Sequence, residues 1–140
     1  MVQAGISATS LAALGGRVLC YMGEPDVAAK ARAEGTTRAM QCMRRAAREA
    51  PEAIYAIGNA PTALLELLRL VEDGEAAPSL IIGVPVGFVA AAEAKEQLER
   101  QRVVPYITNR GRKGGTPVAV AITNALLRLA HGRAAEATTP

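Results

Sequence analysis

Aromatic side chains are scarce in this sequence: no tryptophan, one phenylalanine and three tyrosines. A surface that holds single-stranded nucleic acid by stacking bases needs more rings than that. Strong charge of one sign is lacking too. A formal net charge of +3 favours a polyanionic small molecule but falls short of the dense basic patch of a DNA-binding module. Histidine occurs once, as His131, and cysteine twice, as Cys20 and Cys42, in no metal-ligand pattern. Two isolated cysteines suit a reduced, cytoplasmic setting. The longest apolar stretch, residues 80–92, is too short for a membrane span and is interrupted by Pro85. The chain opens without a basic leader and apolar core, so no signal peptide is expected. These shortages predict a soluble cytoplasmic protein with neither a nucleic-acid nor a membrane partner and no metal site.

Half of the 140 residues are hydrophobic, which excludes a disordered chain and suits a single domain with one core. That domain is expected over residues 1–130, with residues 131–140 as a disordered tail. Residues 1–14 read as a loop in which Ser7 or Thr9 caps a short turn. Residues 17–22 read as a first strand, bounded by Gly15-Gly16 and Gly23-Glu24-Pro25. A helix follows from Pro25, and another begins at Thr36-Thr37-Arg38 with a threonine cap. Its apolar stripe is Ala39, Met43, Ala46, Ala47 and Ala50. Residues 53–57 form the second strand, and Leu64, Leu67, Leu68 and Val71 the core stripe of the helix after it. Residues 79–84 form the third strand, followed by a helix to about Arg100. Residues 103–108 form the fourth, placed at an edge because Pro105 cannot donate a ladder hydrogen bond. A last helix to about Ala130 is apolar nearly all round and is expected to be buried over much of its surface. Strand and helix in alternation predict an α/β fold, with a mostly parallel sheet and helices on both faces.

Ligands of open α/β sheets bind at the carboxyl ends of the strands, and three distinctive loops fall there. The first is Gly58-Asn59-Ala60-Pro61-Thr62 and the second Gly83-Val84-Pro85-Val86-Gly87-Phe88. In the second, two glycines around a proline let backbone approach a flat or bulky ligand, or simply supply the dihedrals of a tight turn. The third loop carries Arg110, Arg112 and Lys113 before Gly114-Gly115-Thr116 at a helix start. Cations, free N–H groups and glycines there suit a carboxylate or phosphate, or equally a solvated basic turn. Arg38, in the first turn of its helix, is well placed for an anion, whereas Arg45 and Arg48 read as a solvated face. Neither a Walker A loop nor a dinucleotide fingerprint is present. Glu93 reads as a first-turn glutamate that complements its helix dipole, with a general acid or base as the other reading. His131 has no Ser or Cys partner in the pattern, and no residue stands out as a catalyst.

The segments Ala56-Ile57-Gly58-Asn59-Ala60-Pro61-Thr62-Ala63-Leu64, Gly83-Val84-Pro85-Val86-Gly87-Phe88-Val89 with Glu93 and Lys95, and Gly111-Arg112-Lys113-Gly114-Gly115-Thr116 resemble the precorrin-8X methylmutase family. So do Met1-Val2 with Gly5, Cys20 with Pro25, and Thr37-Arg38, and the likeness extends to about Leu127. The resemblance implies a three-layer, flavodoxin-like α/β fold and a homodimer. It implies an isomerase of cobalamin biosynthesis that moves a methyl group from C11 to C12 of precorrin-8X, or cobalt-precorrin-8, to give hydrogenobyrinic acid or its cobalt form. No methyl donor is consumed and no cofactor is expected. It assigns substrate contacts to Gly5, Ser7, Arg38, Gly58, Asn59, Pro61, Thr62, Gly83, Pro85, Gly87, Arg112, Lys113, Gly114, Gly115 and Thr116. The family's N-terminal helices, its first strand and a proton-donating histidine precede the Met-Val motif. Met1 is therefore expected to be an internal methionine of a longer protein, and the isolated chain to be inactive as a methylmutase and aggregation-prone or oligomeric. His131 does not match the position of that histidine. Two other readings stay open: a fragment that binds a tetrapyrrole without rearranging it, and, less favoured, an S-adenosylmethionine-dependent methyltransferase.

Overall fold

Three short, apolar strands lie side by side and parallel: β1 (Ile54–Ile57), β2 (Leu80–Gly83) and β3 (Tyr106–Thr108), in the order β1-β2-β3. A computed structural model of the chain describes residues 1–137. Ile54 pairs with Leu80 and Ile57 with Gly83, while Ile81 pairs with Tyr106. The central strand is covered on both faces, so it reads as an unbroken apolar run rather than an alternating one. Ile81 and Ile82 are both fully buried and face opposite layers.

Seven helices surround the sheet among the described residues. They are α1 (Val2–Gly5), α2 (Ala8–Ala13), α3 (Pro25–Glu34), α4 (Arg38–Glu49), α5 (Pro61–Glu72), α6 (Ala91–Arg100) and α7 (Thr116–Ala137). One face carries the larger core: Leu64, Leu67, Leu70 and Val71 of α5 and Ala94 and Leu98 of α6 meet Tyr55, Ile57 and Ile81. Helix α4 packs outside α5 and contributes Ala47, with Ala39, Met43 and Ala46 half-buried. On the opposite face, Ile82, Val84 and Ala119 form a smaller cluster with Val2, Ile122 and Leu126. The result is the expected three-layer α/β architecture with a parallel sheet.

Five local expectations need correction. Residues 17–22 are not a strand. A strand needs a ladder partner, and among the described residues none lies beyond β1, whose Ile54 is 57 % exposed. The segment instead docks through Tyr21, which is buried with Val27 and Cys42 and donates a 2.6 Å hydrogen bond to Glu49. The Arg45 guanidinium lies 4.5 Å above the Tyr21 ring. Residues 1–14 are not a plain loop: they contain α1 and α2, and Ser7 caps α2 by accepting from the Ser10 N–H. The edge strand starts at Tyr106 rather than at residue 103. The Gln101 side chain takes up the N–H groups of both Val103 and Val104 at 2.9 Å, and Pro105 has none to offer. Finally, α7 continues to Ala137, so residues 131–137 are helical. The run Arg133-Ala134-Ala135-Glu136-Ala137 consists of strong helix formers; residues 138–140 of the expected tail lie outside the described residues. Nor is α7 buried all round. Ala119 is its only buried residue, and Leu129 is 65 % exposed.

Candidate functional site

The three carboxyl-end loops converge because each ends a parallel strand on the same edge of the sheet. The loop after β1 presses on the start of α7: a Cβ at Gly58 would lie 2.9 Å from the Gly115 carbonyl oxygen and 2.9 Å from the Thr116 Cα. The loop after β3 folds back over the loop after β2. The Gly115 N–H donates to the Val84 carbonyl at 2.8 Å, and the Gly87 N–H donates to the Arg112 carbonyl at 3.2 Å. Gly114 has φ +154°, and a Cβ there would lie 2.2 Å from the Val84 carbonyl oxygen, so the close approach requires glycine. Two side chains complete the attachment. Lys95 Nζ and Asn109 Nδ2 both donate to the Lys113 carbonyl, each at 2.7 Å.

Next to this knot, the starts of α4 and α5 meet. Thr37 caps α4 by accepting from the Met40 N–H at 3.1 Å, and its hydroxyl lies 3.3 Å from that of Thr62 in the first turn of α5. Helix α5 begins at Pro61 with no side-chain cap. Pro61 also borders Gly87, whose missing Cβ would sit 4.0 Å from it. The starts of α4, α5 and α7 thus gather around the loops, and each carries a partial positive charge. Arg38 opens α4. Arg38, Arg112 and Lys113 are exposed and take part in no ion pair among the described residues. Arg44, Arg45, Arg69 and Arg110 are instead tied to carboxylates. Arg110 is paired with Glu99, at 3.0 Å.

Apolar side chains stand beside these cations. Phe88 is 87 % and Val89 83 % exposed, with Val86 partly exposed next to them. The Arg112 guanidinium sits 6.0 Å from the centre of the Phe88 ring, the outer limit of a cation–π contact. Ala90, between this segment and α6, takes a left-handed conformation with φ +62°. For alanine that costs about 1–2 kcal/mol, a strain held at the rim of the site.

Of the residues expected at the site, Arg38, Gly58, Pro61, Thr62, Gly87, Arg112, Lys113, Gly114, Gly115 and Thr116 come together. Asn59 is exposed in the same loop. Four others have different surroundings. Gly83 lies inside β2, where a Cβ would meet Leu98 at 2.5 Å and Leu64 at 3.2 Å, so its smallness serves the core. Pro85 is fully buried. Gly5 and Ser7 dock on the flank of α7 through Asn124, which accepts from the Ser7 N–H at 2.8 Å and donates to the Gly5 carbonyl at 2.9 Å. Asn124 is about 12 Å along the helix from Thr116 at 1.5 Å per residue. Glu93 is exposed in the first turn of α6, as its dipole reading predicts. His131 is exposed on α7, about 22 Å along the axis from Thr116.

The sequence reading missed Asn109 and the structural use of Lys95. An asparagine directly before an Arg-Gly turn is a signal for the first, since Asn side chains close turns onto nearby backbone. A lone lysine on the apolar face of α6 is the signal for the second. Lys95 is 1 % exposed, and burial lowers its pKa from the ordinary lysine value. Among the described residues, no group of three or more His, Cys, Asp or Glu is placed to hold a metal ion. No helix of the described residues is long and apolar enough to cross a membrane.

Cations in no ion pair among the described residues and helix starts stand beside exposed apolar side chains at the carboxyl edge of a parallel sheet, the edge at which α/β domains bind their ligands. More particularly, the chain belongs to the precorrin-8X methylmutase family, which it matches over residues 1–129. It is 53 % identical over 130 residues to the cobalt-precorrin-8 methylmutase of Priestia megaterium, an alignment covering 93 % of this chain and 57 % of that protein. It is 47 % identical over 135 residues to that of Methanocaldococcus jannaschii, covering 96 % and 60 %. A precorrin-8X methylmutase structure from Thermus thermophilus superposes with a TM-score of 0.84 at 40 % identity, covering 94 % of this chain and 63 % of that one. The chain thus spans about three fifths of the length of these relatives.

Proposed function

We propose that the chain serves an isomerase of cobalamin biosynthesis, which shifts a methyl group from C11 to C12 of precorrin-8X or cobalt-precorrin-8. In this reading its residues supply the substrate cradle. The observation that carries it is the pair Arg112 and Lys113, cations without acidic partners among the described residues, held next to Phe88, Val89 and the starts of α5 and α7. A corrin precursor is a flat apolar ring fringed with carboxylates, and it needs both kinds of surface. Arginine suits the carboxylates through bidentate hydrogen bonds. The segment 86–89 suits the ring.

Proton transfer to the ring is assigned to a group outside these loops, since His131 stands far along α7. That position favours a second reading, in which these residues bind a tetrapyrrole without rearranging it. A homodimer is supported by apolar side chains left exposed, notably Leu129 of α7 and Ile54 of β1. A cytoplasmic setting is supported by Cys20 and Cys42, both free thiols.

The test is a titration with hydrogenobyrinic acid, followed by corrin absorbance, and then an assay with precorrin-8X. The chain should bind the corrin, and Arg112→Ala should weaken binding about tenfold, the worth of one charge-assisted contact. Absence of corrin binding would overturn the reading. Conversion of precorrin-8X by these 140 residues alone would overturn the assignment of proton transfer to another group.

A further inference from the structure

We propose that Lys95 is a positioning residue: it holds the turn at residues 112–115 in the shape that presents Arg112 and Lys113 to a carboxylated substrate. The proposal rests on the functional reading above.

Lys95 lies on the inner face of α6, between core positions Ala94 and Leu98. A buried ammonium is costly unless it is compensated. No carboxylate among the described residues pairs with Lys95, and its Nζ has one hydrogen-bond acceptor, the Lys113 carbonyl oxygen at 2.7 Å. A fold-only explanation is weak, because a methionine or leucine would fill the same space without that penalty. What lysine adds is a charged donor aimed at one peptide group of the basic loop.

That peptide group is a pivot. The carbonyl before it, of Arg112, is held by the Gly87 N–H, and the N–H two residues after Lys113, of Gly115, is held by Val84. Asn109 shares the Lys113 carbonyl from within the loop, and its own Oδ1 is buried without a hydrogen-bond partner. The other tethers of residues 112–115 come from backbone or from the loop itself, and the Arg110–Glu99 ion pair holds only the loop's earlier part. Lys95 is the side chain from another helix that ties the turn to the body of the protein. With the carbonyls of residues 112 and 113 drawn inward, both side chains remain exposed. Losing the inward pull frees the turn to rotate, and the cations then lose their preset geometry.

The test compares the parent chain with Lys95→Met, which keeps the stem and removes the ammonium. Three readouts are used: melting temperature, amide hydrogen exchange at Gly115, and affinity for hydrogenobyrinic acid. Lys95→Met should melt no lower than the parent. Exchange at Gly115 should accelerate at least tenfold while Leu98 is unchanged, and affinity should drop roughly tenfold. In an Arg112→Ala, Lys113→Ala background the same substitution should have no further effect on affinity, because Lys95 acts through those residues. An additive loss, unchanged Gly115 exchange, or a loss confined to melting temperature would overturn the proposal. A measurement on the unmutated protein guards against a variant that fails to fold. The buried Lys95 ammonium should give a protected ¹⁵N resonance that shifts on adding the corrin, and no shift refutes the role. If the parent chain binds no corrin, the functional reading fails, whereas Gly115 exchange still decides whether Lys95 holds the turn.

Discussion

Gly114 and Gly87 share a backbone dihedral but not a neighbourhood, and that difference makes a quantitative prediction. Both have φ +154°, so alanine at either position is strained, at a cost of order 1–3 kcal/mol. At Gly87 the nearest atom to an added Cβ is 3.8 Å away, ordinary contact. At Gly114 the added Cβ would sit 2.2 Å from the Val84 carbonyl oxygen and 3.1 Å from that of Pro85. Neither neighbour is a side-chain tip that can swing away. The turn must lift off β2's extension and break the 2.8 Å hydrogen bond from Gly115 to Val84. A lost backbone hydrogen bond costs about 1 kcal/mol net, and more if the carbonyl stays dry.

Gly114→Ala should therefore destabilise the protein by about 1–2 kcal/mol beyond Gly87→Ala. With a urea m-value of about 2 kcal/mol/M, the two midpoints should differ by about 0.5–1 M. The assay is urea unfolding followed by circular dichroism, with m compared to confirm that the unfolded states match. Equal midpoints for the two variants would refute the close-approach argument, since strain alone would then account for both. The same pair should separate in corrin affinity. Gly114→Ala displaces Arg112 and Lys113, while Gly87→Ala adds one methyl beside Pro61.

Gly83→Ala should destabilise by about 1–3 kcal/mol through overpacking against Leu98 and Leu64, yet leave corrin affinity unchanged at temperatures where the variant is folded. A selective loss of affinity would return Gly83 to the ligand. Glu66, buried between α4 and α5, accepts from Arg44 at 2.7 Å and from Arg69 at 2.9 Å. Burial pushes its pKa up, but the hydrogen bonds from Arg69 and Arg44 outweigh that and leave it lowered. A carboxylate lowered on folding stabilises above its unfolded pKa of about 4.3, and that stability is lost as pH falls through the folded value. Stability should thus decline on acidification below about pH 5. Glu66→Gln should flatten that decline while costing about 1–3 kcal/mol at neutral pH; an unchanged acid slope would count against the pairing. Tyr21→Phe should cost about 1 kcal/mol through the lost bond to Glu49, measured by thermal melting, and no change would mean that residues 17–22 are not anchored there.

The middle of the sheet was legible because its cause is local. Residues 54–57 and 80–83 are short apolar runs between helix-start and turn signals, and burial on both faces allows little else. The helices with threonine or proline starts, α3, α4 and α5, were legible for the same reason. Residues 17–22 misled because strand pattern records suitability for a ladder, not the presence of a neighbour. Tyr21 found a partner on α4 instead of on a strand. The start of β3 misled because a side chain, Gln101, outcompeted the sheet for two N–H groups. No hydrophobic pattern encodes that competition.

The site shows the same division more sharply, because its glycines look alike in sequence and act in three ways. Gly83 makes room for the core, Gly58 and Gly114 make room for neighbouring backbone, and Gly87 has only ordinary contacts, the nearest at 3.8 Å. Of these four, only Gly87 is uncrowded. The exposed surface of this segment therefore lies on Val86 to Val89 rather than on Val84 and Pro85, which the turn at Gly114 covers. The cations follow from the same packing. In the proposed reading they are displayed because the carbonyls behind them are held by Gly87, Lys95 and Asn109. In that reading, a motif of glycines and basic residues becomes a carboxylate cradle through groups behind it, Lys95 and Asn109 among them. The residues most informative to change are accordingly the ones behind the loop, not those on its surface.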